Sequence, residues 1–122
     1  MRALLEVVIL PVADADRSLH FYRDLVGFEL DVDYAPAPDF RVVQLTPHGS
    51  GTSIQFGVGL QDTPAGSVRG LYLVVEDIER ARSELVGRGV SVGEEGSRLA
   101  PLCVGNPAVD RRSHHVGVIE TD

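Results

Sequence analysis

The sequence predicts an α+β fold made of two βαβββ modules, residues 1–58 and 70–122, joined by a linker at 59–69 within one domain spanning 1–122. Three observations lead there. An apolar strand, an aspartate and an amphipathic helix closed by glycine follow one another between Val7 and Phe28. The same order recurs from Gly70 to Gly89. Between the two, residues 28–58 alternate with period two, as strands with one wet face do.

Val7–Val12 is apolar, mostly β-branched and contains Pro11, which reads as a buried or half-buried strand. Asp14 follows as an N-cap, and Ala15, Leu19, Tyr22 and Leu25 or Val26 recur at helical spacing, with Asp16, Arg17, Arg23 and Asp24 opposite. Gly27 stands at the C-cap position. Phe28, Leu30, Val32 and Tyr34 alternate with Glu29, Asp31 and Asp33, predicting a strand whose acidic side is solvated. The two prolines in Ala35–Asp39 predict a loop, and Phe40–Thr46 a further strand. After a turn at Pro47–Gly51, Thr52–Val58 predicts a third, with Ile54, Phe56 and Val58 on one face and Ser53, Gln55 and Gly57 on the other.

The second module opens with a strand at Gly70–Val75, then Asp77, then the helical face Ile78, Ala81 and Leu85, closed by Gly87 and Gly89. Aligning Asp14 with Asp77 also pairs Leu10 with Leu73, Val12 with Val75 and Arg17 with Arg80, so an internal duplication is expected. Arg17 and Arg80 are read as structural partners of Asp14 or Asp16. Beyond Gly89 the pattern thins. Val90 and Val92, Leu99–Val104 and Val116–Glu120 suggest short strands among stretches without alternation.

A chain of 122 residues with 43% hydrophobic and 24% charged residues is an ordinary globular domain. Its net charge of -7 argues against nucleic acid and anionic membranes as partners. One cysteine, Cys103, excludes an intrachain disulfide and a cysteine zinc cluster, and nothing local marks it as an activated thiol. No signal peptide is read, and no apolar run approaches the roughly 20 residues of a membrane span, so a cytoplasmic protein is expected.

With both modules in view, the chain resembles the vicinal oxygen chelate superfamily, which includes glyoxalase I, bleomycin- and fosfomycin-resistance proteins and extradiol dioxygenases. The resemblance rests on Val12-Ala13-Asp14, Asp16-Arg17-Ser18, Phe21-Tyr22 and Leu25-Val26-Gly27-Phe28, echoed by Val75-Glu76-Asp77-Ile78 and Arg80-Ala81. It implies curved mixed sheets around a central cavity, with the helices on the convex side, and it implies a homodimer. The family's metal ligands carry over onto Val7, Gln55, Gly70 and Glu120. Two of these have no side-chain donor, so no metal and no cofactor are expected. His114 and His115, adjacent on a strand, would point to opposite faces, and His20 and His48 fall on a helix and a turn.

Parity places Ile9, Gln55 and Tyr72 toward the cavity, with Glu120 on the last strand, and these four are the candidate ligand-binding residues. Gln55 can donate and accept hydrogen bonds, Tyr72 can stack, and Glu120 can act as a base; each also has an ordinary structural reading. The leading expectation is a glyoxalase/bleomycin-resistance-like protein that binds a small, partly apolar molecule without the usual metal. The alternative is a metal-dependent lyase, isomerase or dioxygenase with a non-standard ligand set, and a third is a partner-binding remnant. Whether the protein is an enzyme, and which residues would be catalytic, stay open at this stage.

Overall fold

Both helices start where an aspartate follows an apolar strand, and both aspartates cap. The structure, a computed structural model, describes residues 1–68 and 71–90, with the backbone of 114–117. Strand β1 (Val7–Ile9) leads to Asp14, whose carboxylate accepts from the backbone N–H of Asp16 at 3.0 Å and of Arg17 at 3.1 Å. Helix α1 (Ala15–Leu19) then widens into a π-helical segment, His20–Val26, where sequence periodicity predicts one α-helix. The Tyr22 carbonyl accepts from both Gly27 N–H at 3.0 Å and Phe28 N–H at 2.8 Å, with Gly27 left-handed at φ 94°. That closure turns the chain so that the Phe28 ring stacks on Tyr22 at 5.8 Å.

The chain divides into two compact units, Met1–Val68 and a second that begins at Arg69. In the first, β2 (Glu29–Ala37), β3 (Phe40–Thr46) and β4 (Ser53–Val58) join β1 in a curved four-stranded sheet of order β1-β4-β3-β2. β1 runs parallel to β4, and the other pairs are antiparallel. This unit is βαβββ in chain order, as expected. The core lies between helix and sheet: Val43, Leu45, Ile54 and Phe56 are buried under Ala15, Leu19, Tyr22 and Val26, and the Tyr22 and Phe56 rings lie 5.8 Å apart. Ser18 is buried with them, a position that an apolar periodicity passes over because its residue is polar.

Strand β2 departs from the sequence reading twice. It continues through Pro36 to Ala37, so the expected loop at Ala35–Asp39 reduces to a two-residue turn between Ala37 and its partner Phe40. Proline is tolerated there because β2 is an edge strand. The second departure is a register shift between Leu30 and Val32. Leu30 pairs with buried Leu45 and belongs to the helix side; Val32 pairs with Gln44 on the other side. The extra residue reverses the alternation, so Glu29, Asp31 and Asp33 do not form one acidic face.

Asp33, carried to the helix side, accepts from Arg41 Nε at 2.9 Å and Nη2 at 2.9 Å, while Nη1 reaches Asp16 at 2.7 Å. Asp16 is thus paired with a strand arginine, and Arg80 pairs with Glu84 at 3.6 Å. The Arg41 hydrogen bonds hold the Asp33 carboxyl below its ordinary range, and the two carboxylates in turn raise the guanidinium.

In the second unit, β5 (Tyr72–Val75) leads to Asp77, which accepts from the Arg80 N–H at 3.1 Å at the start of α2 (Ile78–Gly87). The repeated strand, cap and helix are thus present in both units. Strand β6 (His114–Gly117) pairs antiparallel with β5, where the first unit pairs its opening strand in parallel. The strands expected from Val92 and Leu99–Val104, and the end of the last one, lie outside the described residues.

Candidate functional site on the open face of the first sheet

The side of the first sheet turned away from the helix carries the polar residues of the central strands. Register sets three rungs across it. In the middle rung Ile9 is opposite Gln55, Gln55 opposite Gln44, and Gln44 opposite Val32, so two amides lie side by side between two apolar side chains. The amides are joined, Gln55 Nε2 donating to Gln44 Oε1 at 2.7 Å. One neighbouring rung holds Gly57, Val42 and Tyr34, the last 58% exposed.

The other neighbouring rung runs from Val7 through Ser53 to Thr46 and Glu29. Thr46 Oγ1 donates to the Asp31 carboxylate from the bulge and lies 2.7 Å from Ser53 Oγ. Thr46 has one hydroxyl proton and a carboxylate only accepts, so Ser53 is the donor to Thr46. The result is a directed chain, Ser53 to Thr46 to Asp31. The charges on these rungs are the carboxylates of Glu29 and Asp31. Arg41, on a neighbouring strand, is bonded to Asp33 and Asp16 on the opposite side.

Two of the four sequence candidates come together here: Ile9 and Gln55 are register partners. Tyr72 lies in the second unit, 46% exposed on β5 where Leu73 and Val75 are half-buried. Glu120 lies outside the described residues, as do Gly70 and Cys103. His114 and His115 are successive residues of β6, opposite Val75 and Val74. His20 is exposed and bonds to Asp24 at 2.9 Å. Gln44 was not among the sequence candidates. Its signal is the same as that of Gln55, one amide in an otherwise apolar run, and only the register shows that the two meet.

The metal implied by the resemblance does not fit the described residues of the first unit. At the position carried over from the first strand Val7 has no donor, and Gln55 at the next brings a single neutral amide oxygen, its nitrogen being bonded to Gln44. Among the described residues no three His, Cys, Asp or Glu side chains are grouped to hold an ion.

The sequence model of the Glyoxalase/Bleomycin resistance protein/Dioxygenase superfamily matches residues 4–99. The chain belongs to this superfamily. A search of curated proteins returned no match. Among solved structures, TnmS3, an antibiotic binding protein from Streptomyces sp. CB03234, is similar at 29% identity and a TM-score of 0.68, over 87% of this chain and 80% of that one. A glyoxalase/bleomycin resistance protein from the same organism is similar at 30% identity and 0.66, over 85% and 83%. A superfamily member from Sphaerobacter thermophilus DSM 20745 follows at 28% and 0.66, over 76% and 77%. The described fold agrees with that membership: a mixed α+β architecture whose first unit is an open curved sheet backed by one helix. No helix of the described residues is long and apolar enough to cross a membrane.

Proposed function

We propose that this superfamily member binds a small, partly apolar molecule on the open face of its first sheet, without the metal ion that its family resemblance implies. The observation that carries the reading is the middle rung, Ile9, Gln55, Gln44 and Val32, which offers hydrogen-bonding amides between apolar flanks. Binding sites for small molecules have this composition, apolar walls with a few placed polar groups. The absence of a donor at Val7, and a Gln55 that brings only one neutral oxygen, support a site that works through hydrogen bonds rather than coordination. The likeness to an antibiotic binding protein over most of both chains supports a binding role. Ile9 and Gln55 carry the proposal; Tyr72 enters it through the test.

The test is a thermal-shift screen of flat, weakly polar compounds against the wild type and against Ile9→Asp and Tyr72→Ala variants. A ligand at a hundred times its Kd stabilises by about 2.7 kcal/mol, roughly 10 °C for a chain of this size. The shift should disappear in Ile9→Asp. Titration with Ni, Zn, Mn, Fe(II) and Mg should leave the melting temperature unchanged. Stoichiometric metal with a clear rise would instead favour a metal-dependent lyase, isomerase or dioxygenase. A homodimer in the cytoplasm completes the proposal; light scattering that returns the mass of a single chain would remove the dimer.

A further inference from the structure

We infer that the Gln44–Gln55 pair selects the chemistry of the ligand, a neutral group that presents a hydrogen-bond acceptor and an N–H donor together, as a primary carboxamide or a lactam does. The inference rests on the reading of the open face as a small-molecule site and adds its selectivity.

A glutamine amide has one acceptor oxygen and two N–H donors. The bond from Gln55 Nε2 to Gln44 Oε1 uses one donor of the first and the oxygen of the second. What remains is the oxygen and the second N–H of Gln55, and the NH2 of Gln44. Exchanging the two amides' orientations swaps which residue offers which group and leaves the same set, one acceptor oxygen beside free N–H donors. Neither side chain makes another hydrogen bond or ion pair among the described residues.

Such a pair is complementary to a group of the same kind. A ligand carboxamide accepts from one glutamine and donates to the other. A ketone of the same shape satisfies only the donor and leaves an amide oxygen covered and unpaired, which is the costlier half of the mismatch. A carboxylate lacks the proton altogether and meets a face whose own charges, Glu29 and Asp31, are negative, on a chain of net charge -7. The neighbouring hydroxyl chain strengthens this discrimination. Its protons run from Ser53 to Thr46 to Asp31, so the Thr46 hydrogen is committed and is not offered to an anion. The flanks Ile9 and Val32, one at each end of the rung, call for a flat apolar body attached to the amide.

The probes are 2-naphthamide, 2-acetonaphthone and 2-naphthoate, which share one body and differ in the group under test, titrated by calorimetry against the whole chain at low salt. The amide is expected to bind about tenfold more tightly than the ketone, the equivalent of roughly one to two neutral hydrogen bonds, and the carboxylate more weakly than either. In a Gln44→Met/Gln55→Met variant, which keeps side-chain length, amide and ketone should become equal. In Asp31→Asn the carboxylate should recover part of its deficit.

The wild-type comparison of the three probes requires no variant to fold. If ketone and amide bind the wild type equally, and both are lost in Ile9→Asp, the selectivity inference falls while the binding face stands. If no probe binds the folded wild type at millimolar concentration, inference and binding face fall together.

Discussion

Replacing Arg41 by Met should cost about 2 kcal/mol, nearly all of it through Asp33. The Arg41 side chain is 20% exposed and holds Asp33, 33% exposed, through two parallel bonds of 2.9 Å. A partly buried bidentate pair of this kind contributes about 1.5–2 kcal/mol. The shorter contact, 2.7 Å to Asp16, goes to a side chain that is 84% exposed, and solvent screening reduces it to about 0.3 kcal/mol. Distance alone would rank the two the other way; exposure decides.

Methionine preserves the aliphatic stem, so packing under the helix is largely retained. Urea unfolding of Arg41→Met at pH 7 should show a midpoint lowered by about 1 M. Double-mutant cycles with Asp33→Asn and Asp16→Asn then apportion the loss, with a coupling of about 1.5 kcal/mol or more for the first and under about 0.5 kcal/mol for the second. The pH dependence gives an independent check. Arg41 depresses the folded-state pKa of Asp33, so this contribution is fully present above the ordinary carboxyl value and is lost as the pH falls through the lower folded one. The stability gap between wild type and Arg41→Met should therefore close as the pH drops below about 4. A cycle that couples Arg41 to Asp16 as strongly as to Asp33, or a gap indifferent to acid, would refute this account.

The duplicated caps and the glycines offer sharper contrasts. Asp14 serves two backbone N–H groups and Asp77 one, so Asp14→Ala should lower stability by about 1–1.5 kcal/mol and Asp77→Ala by about 0.5–1 kcal/mol in thermal unfolding; the reverse order would mean that cap bonds do not set the ranking. A Cβ at Gly57 would lie 1.8 Å from the Arg41 carbonyl oxygen, and backbone cannot swing away, so Gly57→Ala should cost about 3 kcal/mol or more, or leave the chain insoluble. Gly51 has nothing within 4 Å of the same atom, and Gly51→Ala should stay within about 0.5 kcal/mol by the same melting assay.

The parts of this fold that were legible in the sequence are those set by neighbours a few residues away. Asp14 and Asp77 cap because an oxygen on a short side chain reaches N–H groups two and three residues on. Gly27 and Gly89 close their helices at positive φ, where a Cβ is disfavoured. Phe56 and Ile54 point to the helix because alternation within β4 is unbroken. What was not legible depends on a partner strand. From Phe28 to Tyr34 the sequence alternates without a fault, and no local rule announces that one residue will bulge. The bulge follows from β3, which brings Arg41 to where Asp33 can reach it. Gln44 was missed for the same reason: as a lone amide it is unremarkable, and its meaning comes from the register that sets it against Gln55. The π-helical widening after Leu19 likewise answers to Phe28 and Phe56, rings supplied by two different strand regions.

The bulge in β2 is also what makes the open face a plausible binding surface. Without it, continued alternation from Leu30 would carry Val32 and Tyr34 to the helix side and leave only acidic residues beside Gln44. With it, Val32 closes the amide rung and Tyr34 stands beside Val42, while Asp33 moves to the helix side, where Arg41 pairs it. The Arg41–Asp33 pair and the apolar flank of the amides are therefore two consequences of one extra residue. Their coupling can be tested: deleting Asp31 from β2 removes the extra residue but sets Val32 directly after Leu30, which keeps Val32 opposite Gln44 and Asp33 opposite Val43, so naphthamide binding should be retained. The coupling between Arg41→Met and Asp33→Asn should survive the deletion as well, and loss of both together would mean that the bulge itself, and not the faces it sets, holds them.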